Sequence, residues 1–367
     1  MKKLRVGTLF SGIGAFEQAL KQMKIPHEIV FACDNGERYL KQTFEEICEA
    51  TKGMSQEDRR KYVDDLYEAT GKPNNVKKSY FANYPISEDR WYNDVRFMDG
   101  KPYAGKVDIL VGGSPCQSFS TYGKKRGLED ARGTLFYDYA RLIKEIQPRV
   151  FIYENVTGCL THDHKRTWKV MKSVWESIGY ELVYDVLNAA DYNHPQLRKR
   201  LFIVGFRKDV YTHPYQFPPR KGLTKKSVDF LETGRVPDAY YLGRKGFEWV
   251  TTPEKNLRRS RVNQDVIGCQ TANQQDNWIG DFRVEEPLTE HRNNPKIYIG
   301  RYKIDGVHEV DAVARKMTPK ECLGLMGFEN FKQVVEDRVL YRQSGNSIVV
   351  PVLKEIVKSL EPYLKEV

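Results

Sequence analysis

Apolar residues fall along this chain in two textures, short unbroken runs and helical stripes. The runs at 4–10 (LRVGTLF), 28–34 (EIVFACD), 108–112 (DILVG), 150–156 (VFIYENV) and 201–205 (LFIVG) have the length and β-branched or aromatic content of buried strands. Between them apolar residues recur every three or four positions. Phe16, Ala19, Leu20 and Met23 make one stripe, and Leu135, Phe136, Tyr139, Leu142, Ile143 and Ile146 another. Residues 166–178 read as a further helix and 181–187 as a strand. Strands alternating with helices predict an α/β fold built on a doubly wound, mostly parallel sheet.

Two stretches break this rhythm. Residues 50–90 are polar and charged, with Ser55 to Asp58 resembling the capping box of a short helix, and read as a surface insertion with no evident chemistry. After Phe206, prolines, basic pairs and many Asn and Gln residues replace clean periodicity. Residues 208–311 are therefore expected to form a second, smaller, irregular domain, with 1–207 and 312–367 making the larger one. Periodicity returns at a helix start at Thr318-Pro319. The chain closes on a helix bearing Ile348, Val349, Val352, Leu353, Ile356, Val357 and Leu360, with Pro351 tolerated in its first turn.

The strand ends carry the candidate chemistry. Phe10-Ser11-Gly12-Ile13-Gly14 turns a strand into a helix, where backbone N–H groups can meet a nucleotide-like ligand or simply make the turn. Asp34 ends the second strand, where an acid holds a ribose or caps a helix. In Gly112-Gly113-Ser114-Pro115-Cys116, two glycines end a strand and a proline stiffens the approach to one thiol. Taken alone, Cys116 reads equally as a nucleophile and as a small core residue.

The 367 residues carry 59 Lys and Arg against 49 Asp and Glu, a formal charge of +10 that favours a polyanionic partner. Basic residues cluster at Lys124-Lys125-Arg126, Arg198-Lys199-Arg200, Arg220-Lys221, Lys225-Lys226 and Arg258 to Arg261. Six cysteines (33, 48, 116, 159, 269 and 322) form no CxxC pair, which argues against zinc and for reduced thiols. No apolar run is long enough to cross a bilayer and no signal peptide is seen, so a cytoplasmic, nucleoid-associated protein is expected.

Six short motifs in order then resemble those of the cytosine-5 DNA methyltransferases of the bacterial, single-chain type. Phe10 to Gly14 looks like their cofactor loop and Pro115-Cys116-Gln117 like their nucleophile motif. Glu154-Asn155-Val156 and Gln196-x-Arg198-x-Arg200 resemble the two substrate-pocket motifs. Arg315-Lys-Met-Thr318-Pro319-x-Glu321 resembles the motif that braces the recognition lobe, and Gln343-Ser-Gly345-Asn346-Ser347 the one that returns to the cofactor. Ala15 and Met317 depart mildly, standing where the family often has glycine and leucine.

The resemblance implies a Rossmann-like, adenosylmethionine-dependent methyltransferase with a target-recognition domain. It implies a DNA (cytosine-5-)-methyltransferase of the restriction–modification kind that flips a cytosine from duplex DNA and methylates carbon 5 through a Cys116 adduct. Glu154, Arg198 and Arg200 complete the catalytic set. S-adenosylmethionine would lie among Phe10, Ser11, Gly12, Ile13, Gly14, Asp34, Asn35, Asp94, Val95, Pro115, Leu135, Asn346 and Ser347, with Asp94 reading the adenine amino group. Gln117, Ser120, Lys124, Lys125, Arg126 and Arg132 would meet double-stranded DNA from a closing loop. No membrane, no metal and a monomer are expected. The alternatives are a tRNA cytosine-5 methyltransferase on the same core and a catalytically inactive DNA-binding paralogue. The roughly hundred-residue lobe argues against the first, and Cys116, Glu154 and Arg200 together against the second.

Overall fold

The unbroken apolar runs become the middle of a seven-stranded sheet. In the computed structural model, which describes residues 3–114, 135–252, 254 and 259–364, β1 (Leu4–Leu9) leads through α1 (Ala15–Gln22) to β2 (His27–Cys33). Helices α2 (Phe44–Ala50), α3 (Gln56–Ala69) and α4 (Asn75–Asn83) precede β3 (Trp91–Tyr92) and β4 (Ile109–Gly112). Then come α5 (Leu135–Ile146), β5 (Val150–Asn155), α6 (Arg166–Ser177), β6 (Tyr180–Asn188) and β7 (Lys199–Arg207).

The strand order is β3-β2-β1-β4-β5-β7-β6. Strands β3 to β5 pair in parallel, and β7 runs antiparallel to both β5 and β6. Winding reverses between β1 and β4, and ligands of open α/β sheets sit beyond the carboxyl ends of the strands at such a reversal. The expected doubly wound α/β sheet is present. The stripe on α5 buries Phe136, Tyr139, Leu142, Ile143 and Ile146 against this sheet's core. Each such burial stabilises by roughly 1.5–3 kcal/mol.

Contacts group the chain into two compact units. The first is Met1–Asn188, Lys199–Pro219 and Val352–Val367; the second is Ala189–Arg198 and Arg220–Pro351. These packing units do not coincide with the division at 207/208 and 311/312 read from composition. The second unit is also less irregular than expected. It holds a four-stranded sheet, β10-β11-β9-β8, made of β8 (Ser260–Val262), β9 (Gly280–Glu285), β10 (Gly300–Lys303) and β11 (Glu309–Lys316). Helix α7 (Arg244–Thr251) contributes Phe247 and Val250 to a core with Phe282, Val284, Ala312 and Ala314. Its strands are three to eight residues long, too short to impose a period on so polar a sequence.

Candidate active site

Where β4 ends, two neighbours hold the chain tightly. A Cβ on Gly113 would lie 2.2 Å from the carbonyl oxygen of Glu154, so only glycine lets the chain leaving β4 pass this close to β5. Ser114 Oγ meets Tyr153 Oη at 2.6 Å, and Asn155 Nδ2 donates to Tyr153 Oη at 3.0 Å and to the Ser114 carbonyl at 3.3 Å. Ser114 is thus pinned two residues before Cys116. Pro115, Cys116, Gln117, Ser120, Lys124, Lys125, Arg126 and Arg132 lie outside the described residues.

Glu154 sits near the end of β5, and Arg200 near the start of the antiparallel β7. Their heads meet, Arg200 Nε to Glu154 Oε1 at 3.1 Å, with about 19 % and 15 % of the side chains still exposed. Arg200 Nη1 also donates to the Lys199 carbonyl at 2.9 Å. This carboxylate–guanidinium pair sits beside the backbone that leads to the thiol.

The loop after β1 takes a left-handed path. Phe10, Gly12 and Gly14 have φ of 53°, 53° and 77°. Nothing lies within 4 Å of where a Gly12 Cβ would stand, whereas on Gly14 it would strike the Tyr84 ring at 2.2 Å. Asp34 Oδ2 accepts from Gly12 N at 2.9 Å and Oδ1 from Gly36 N at 2.8 Å. Asp34 therefore ties the glycine loop to the turn after β2 and does not cap a helix. Burial pushes its carboxyl up from the ordinary value, against the pull of those amides. Asn35 shapes the same turn, donating to the Arg38 carbonyl at 2.9 Å. Asp94 is almost buried and accepts from Arg96 Nη2 at 2.6 Å and from Tyr67 Oη at 2.9 Å. Ile13 and Val95 are buried in the first unit, with Leu135 partly buried at the start of α5.

In the second unit, Arg198 is buried and its guanidinium reaches the carbonyls of Gln270 (2.7 Å), Gly345 (3.0 Å) and Ser347 (2.7 Å) and the Cys269 thiol (3.3 Å). These contacts clamp main chain. The motif placed Arg198 in the catalytic set; in the structure its guanidinium binds main-chain carbonyls and the Cys269 thiol. Gly345 must be glycine, since its Cβ would fall 2.1 Å from the Thr271 carbonyl oxygen. Asn346 is exposed and Ser347 buried. Arg315 binds Glu321 through two contacts of 2.9 Å, and Thr318 and Glu321 form the capping box of the helix Pro319–Gly324.

The family model for C-5 cytosine-specific DNA methylase matches residues 67–362. The chain belongs to the C-5 cytosine-specific DNA methylase family. Its relatives include the Type II methyltransferase M.SsoII of Shigella sonnei, 36% identical over 299 residues, 78% of this chain and 71% of that protein. The orphan methyltransferase M.SPRI of Bacillus phage SPR is 28% identical, with 98% of each chain covered. The crystal structure of the Schizosaccharomyces pombe Dnmt2 methyltransferase superposes with a TM-score of 0.65 at 20% identity, covering 98% of this chain and 99% of that one. That last likeness speaks for the fold.

Several residues of this methylase escaped the sequence reading. Glu17, beside the apolar stripe of α1, is 1 % exposed and accepts from Thr8 Oγ1 at 2.9 Å and from Tyr80 Oη. Tyr67, Asn74 and Tyr80 belong to the stretch read as a chemically silent insertion. That reading is corrected here: they bond to Asp94, to the Asp34 carbonyl and to Glu17. Among the described residues no cluster of three His, Cys, Asp or Glu side chains could hold a metal ion, and no helix is long and apolar enough to cross a membrane.

Proposed function

We propose that this DNA (cytosine-5-)-methyltransferase works through Cys116, Glu154 and Arg200 on a cytosine flipped from a duplex, with S-adenosylmethionine as methyl donor. The observation that carries this reading is the Glu154–Arg200 pair, 3.1 Å apart beside the pinned chain that leads to Cys116. Carbon 5 of cytosine is a poor nucleophile. Addition of the Cys116 thiolate to carbon 6 breaks ring aromaticity and makes carbon 5 enamine-like. Glu154 holds ring nitrogen 3 and Arg200 the ring oxygen as charge spreads into the ring. Once carbon 5 carries the methyl group, water takes its remaining proton, the carbon 5–carbon 6 double bond re-forms, and Cys116 leaves as the thiolate. Arg198 fixes the main chain around Gly345 and Ser347 within the second unit.

Phe10, Gly12, Gly14, Asp34 and Asp94 fit the cofactor, since Gly12 leaves open space beside left-handed backbone. Bound there, adenosylmethionine supplies an electrophilic methyl group on sulfonium. Residues 208–311 read the target sequence through the major groove, and Lys124, Lys125, Arg126 and Arg132 meet phosphates. The protein acts as a cytoplasmic monomer. Its relatives include both Type II and orphan enzymes, so bisulfite sequencing of DNA from expressing cells is the route to its site.

The test is transfer of labelled methyl to duplex DNA and to tRNA. Duplex DNA alone should accept it, and Cys116→Ala should abolish transfer. A target cytosine with fluorine at carbon 5 cannot lose that substituent as a cation, so it should trap a covalent protein–DNA adduct. Full activity of Cys116→Ala, or methylation of tRNA in place of DNA, overturns the reading.

A further inference from the structure

The polar helices α3 and α4 and the residues beside them reach three of the places that the cofactor reading uses: the glycine loop, Asp34 and Asp94. Tyr80, on α4 and fully buried, donates its hydroxyl to Glu17 Oε1, which also accepts from Thr8 Oγ1 at 2.9 Å. Thr8 Oγ1 lies 2.8 Å from Ser11 Oγ, and Ser11 Oγ accepts the Cys33 amide at 3.0 Å. The ends of this chain have a set direction: the Cys33 amide donates to the Ser11 hydroxyl, and the Thr8 hydroxyl donates to the Glu17 carboxyl. Ser11 Oγ also lies within donating reach of the Thr8 and Cys33 carbonyls, at 3.1 and 3.2 Å. The Cys33 amide, Ser11, Thr8 and Glu17 thus form one line that ends on Tyr80, and Ser11 is the residue before Gly12.

Three further contacts come from the same segment. The Tyr84 ring occupies the space that a Cβ on Gly14 would need. Asn74 Nδ2 donates to the Asp34 carbonyl at 2.9 Å and to Asn93 Oδ1 at 3.2 Å, while its Oδ1 accepts from Lys77 N at 2.9 Å to start α4. Tyr67, on α3, donates to Asp94 Oδ2 at 2.9 Å, with the Arg38 guanidinium 4.8 Å above its ring. The glycine loop, the acid after β2 and the acid after β3 each have a partner here.

We propose that the segment from α3 to Tyr84 is the frame that sets the adenosylmethionine loops, with Tyr80 and Tyr67 as positioning residues. This rests on the reading that those loops hold adenosylmethionine. The two tyrosines work at different ends. Tyr80 fixes the backbone of Ser11 and Gly12 through Glu17, and Tyr67 aims the Asp94 carboxylate at the adenine amino group. Ring packing is separable from both roles, because each hydroxyl is the tip of a buried ring and a phenylalanine keeps the ring.

The test measures binding of S-adenosylhomocysteine and its inosine counterpart by calorimetry, with steady-state kinetics on duplex DNA. Wild type should bind the adenine compound and discriminate against the inosine one; failure to bind either sinks the cofactor reading itself. Tyr80→Phe should weaken both compounds about tenfold, the cost of one hydrogen bond to a carboxyl group. It should raise the KM for adenosylmethionine and leave both kcat and the KM for DNA unchanged. Tyr67→Phe should weaken the adenine compound alone and so narrow the discrimination. Glu17→Gln keeps an acceptor for Tyr80 and Thr8 and should bind within about threefold of wild type, whereas Glu17→Leu should not. Wild-type cofactor affinity in both phenylalanine variants overturns the proposal. So does a lowered melting temperature with cofactor KM and discrimination intact, which marks a purely structural role.

Discussion

Two arginine–glutamate pairs in this methylase share one chemistry and differ in everything around it. Arg315 and Glu321 are 3 % and 0 % exposed and meet through two bonds of 2.9 Å. Glu321 also accepts from the amides of Thr318 at 2.8 Å and Glu232 at 3.0 Å, and Arg315 reaches Glu285 at 3.3 Å. Arg200 and Glu154 meet at 3.1 Å and stay 19 % and 15 % exposed where β5 ends and β7 begins. A buried pair is tolerable only when its remaining lone pairs and protons are satisfied, as they are around Glu321. The Glu154–Arg200 pair keeps partial exposure that the Arg315–Glu321 pair lacks. That difference fits a brace at Arg315 and the proposed chemistry at Glu154.

Exchanging the symptoms would break that comparison. On the proposed mechanism Glu154→Gln should lower kcat by up to about 10⁴-fold, roughly 5 kcal/mol of barrier, because an amide cannot exchange a proton with ring nitrogen 3 as a carboxyl group can. Its urea midpoint should stay near wild type, since glutamine keeps the shape and its carbonyl oxygen can still accept from Arg200. Arg315→Ala should do the reverse, losing about 3–5 kcal/mol of folding stability by leaving Glu321 buried without its cation. Turnover per folded molecule, measured below the melting temperature, should survive. A stable but inactive Arg315→Ala, or an unfolded Glu154→Gln, would reverse the assignment.

How far the sequence could reach follows from what each feature depends on. Strands β1, β2, β4 and β5 are legible because burial on both faces forces unbroken apolar runs. The antiparallel direction of β7 is not, since periodicity carries no sign. Arg198 and Arg200 stand two apart in one motif, and spacing alone cannot tell them apart. Arg198 falls before β7 and binds the carbonyls of Gln270, Gly345 and Ser347, while Arg200 lies in the strand and meets Glu154. Tyr80 reaches Glu17 across 63 positions and Tyr67 reaches Asp94 across 27, contacts that no local pattern announces. Their helices are polar enough to pass for surface.

The bracing region should also own a pH limb that the catalytic pair does not explain. His194 is 2 % exposed, and its Nε2–H donates to the Leu325 carbonyl at 2.6 Å. Burial lowers its pKa to about 4, against 6.5 for a free imidazole. A folded value below the unfolded one means that the unfolded chain binds the proton more tightly. The stabilisation is therefore complete above about pH 6.5 and drains away as pH falls towards 4, to a limit of roughly 3 kcal/mol. Urea unfolding at pH 7.5 and 5.0 should show this loss in wild type and a smaller one in His194→Gln. Identical pH dependence in the two proteins would remove His194 from the account.

The smallest expected effect sharpens the catalytic side. Arg200 uses two sides of its fork, Nε towards Glu154 at 3.1 Å and Nη1 towards the Lys199 carbonyl at 2.9 Å. A lysine keeps the charge but is a single point of donation on a flexible stem, so it cannot hold Glu154, the strand and a ring oxygen together. Arg200→Lys should cost about tenfold in kcat/KM for duplex DNA, near 1.4 kcal/mol, with the KM for adenosylmethionine unchanged. The same exchange at Arg315 should leave kcat/KM alone and lower the melting temperature, because there both bonds of the fork are spent on Glu321. If Arg200→Lys shifts stability and not kcat/KM, then its partial exposure does not mark a site of chemistry and the two pairs are both braces.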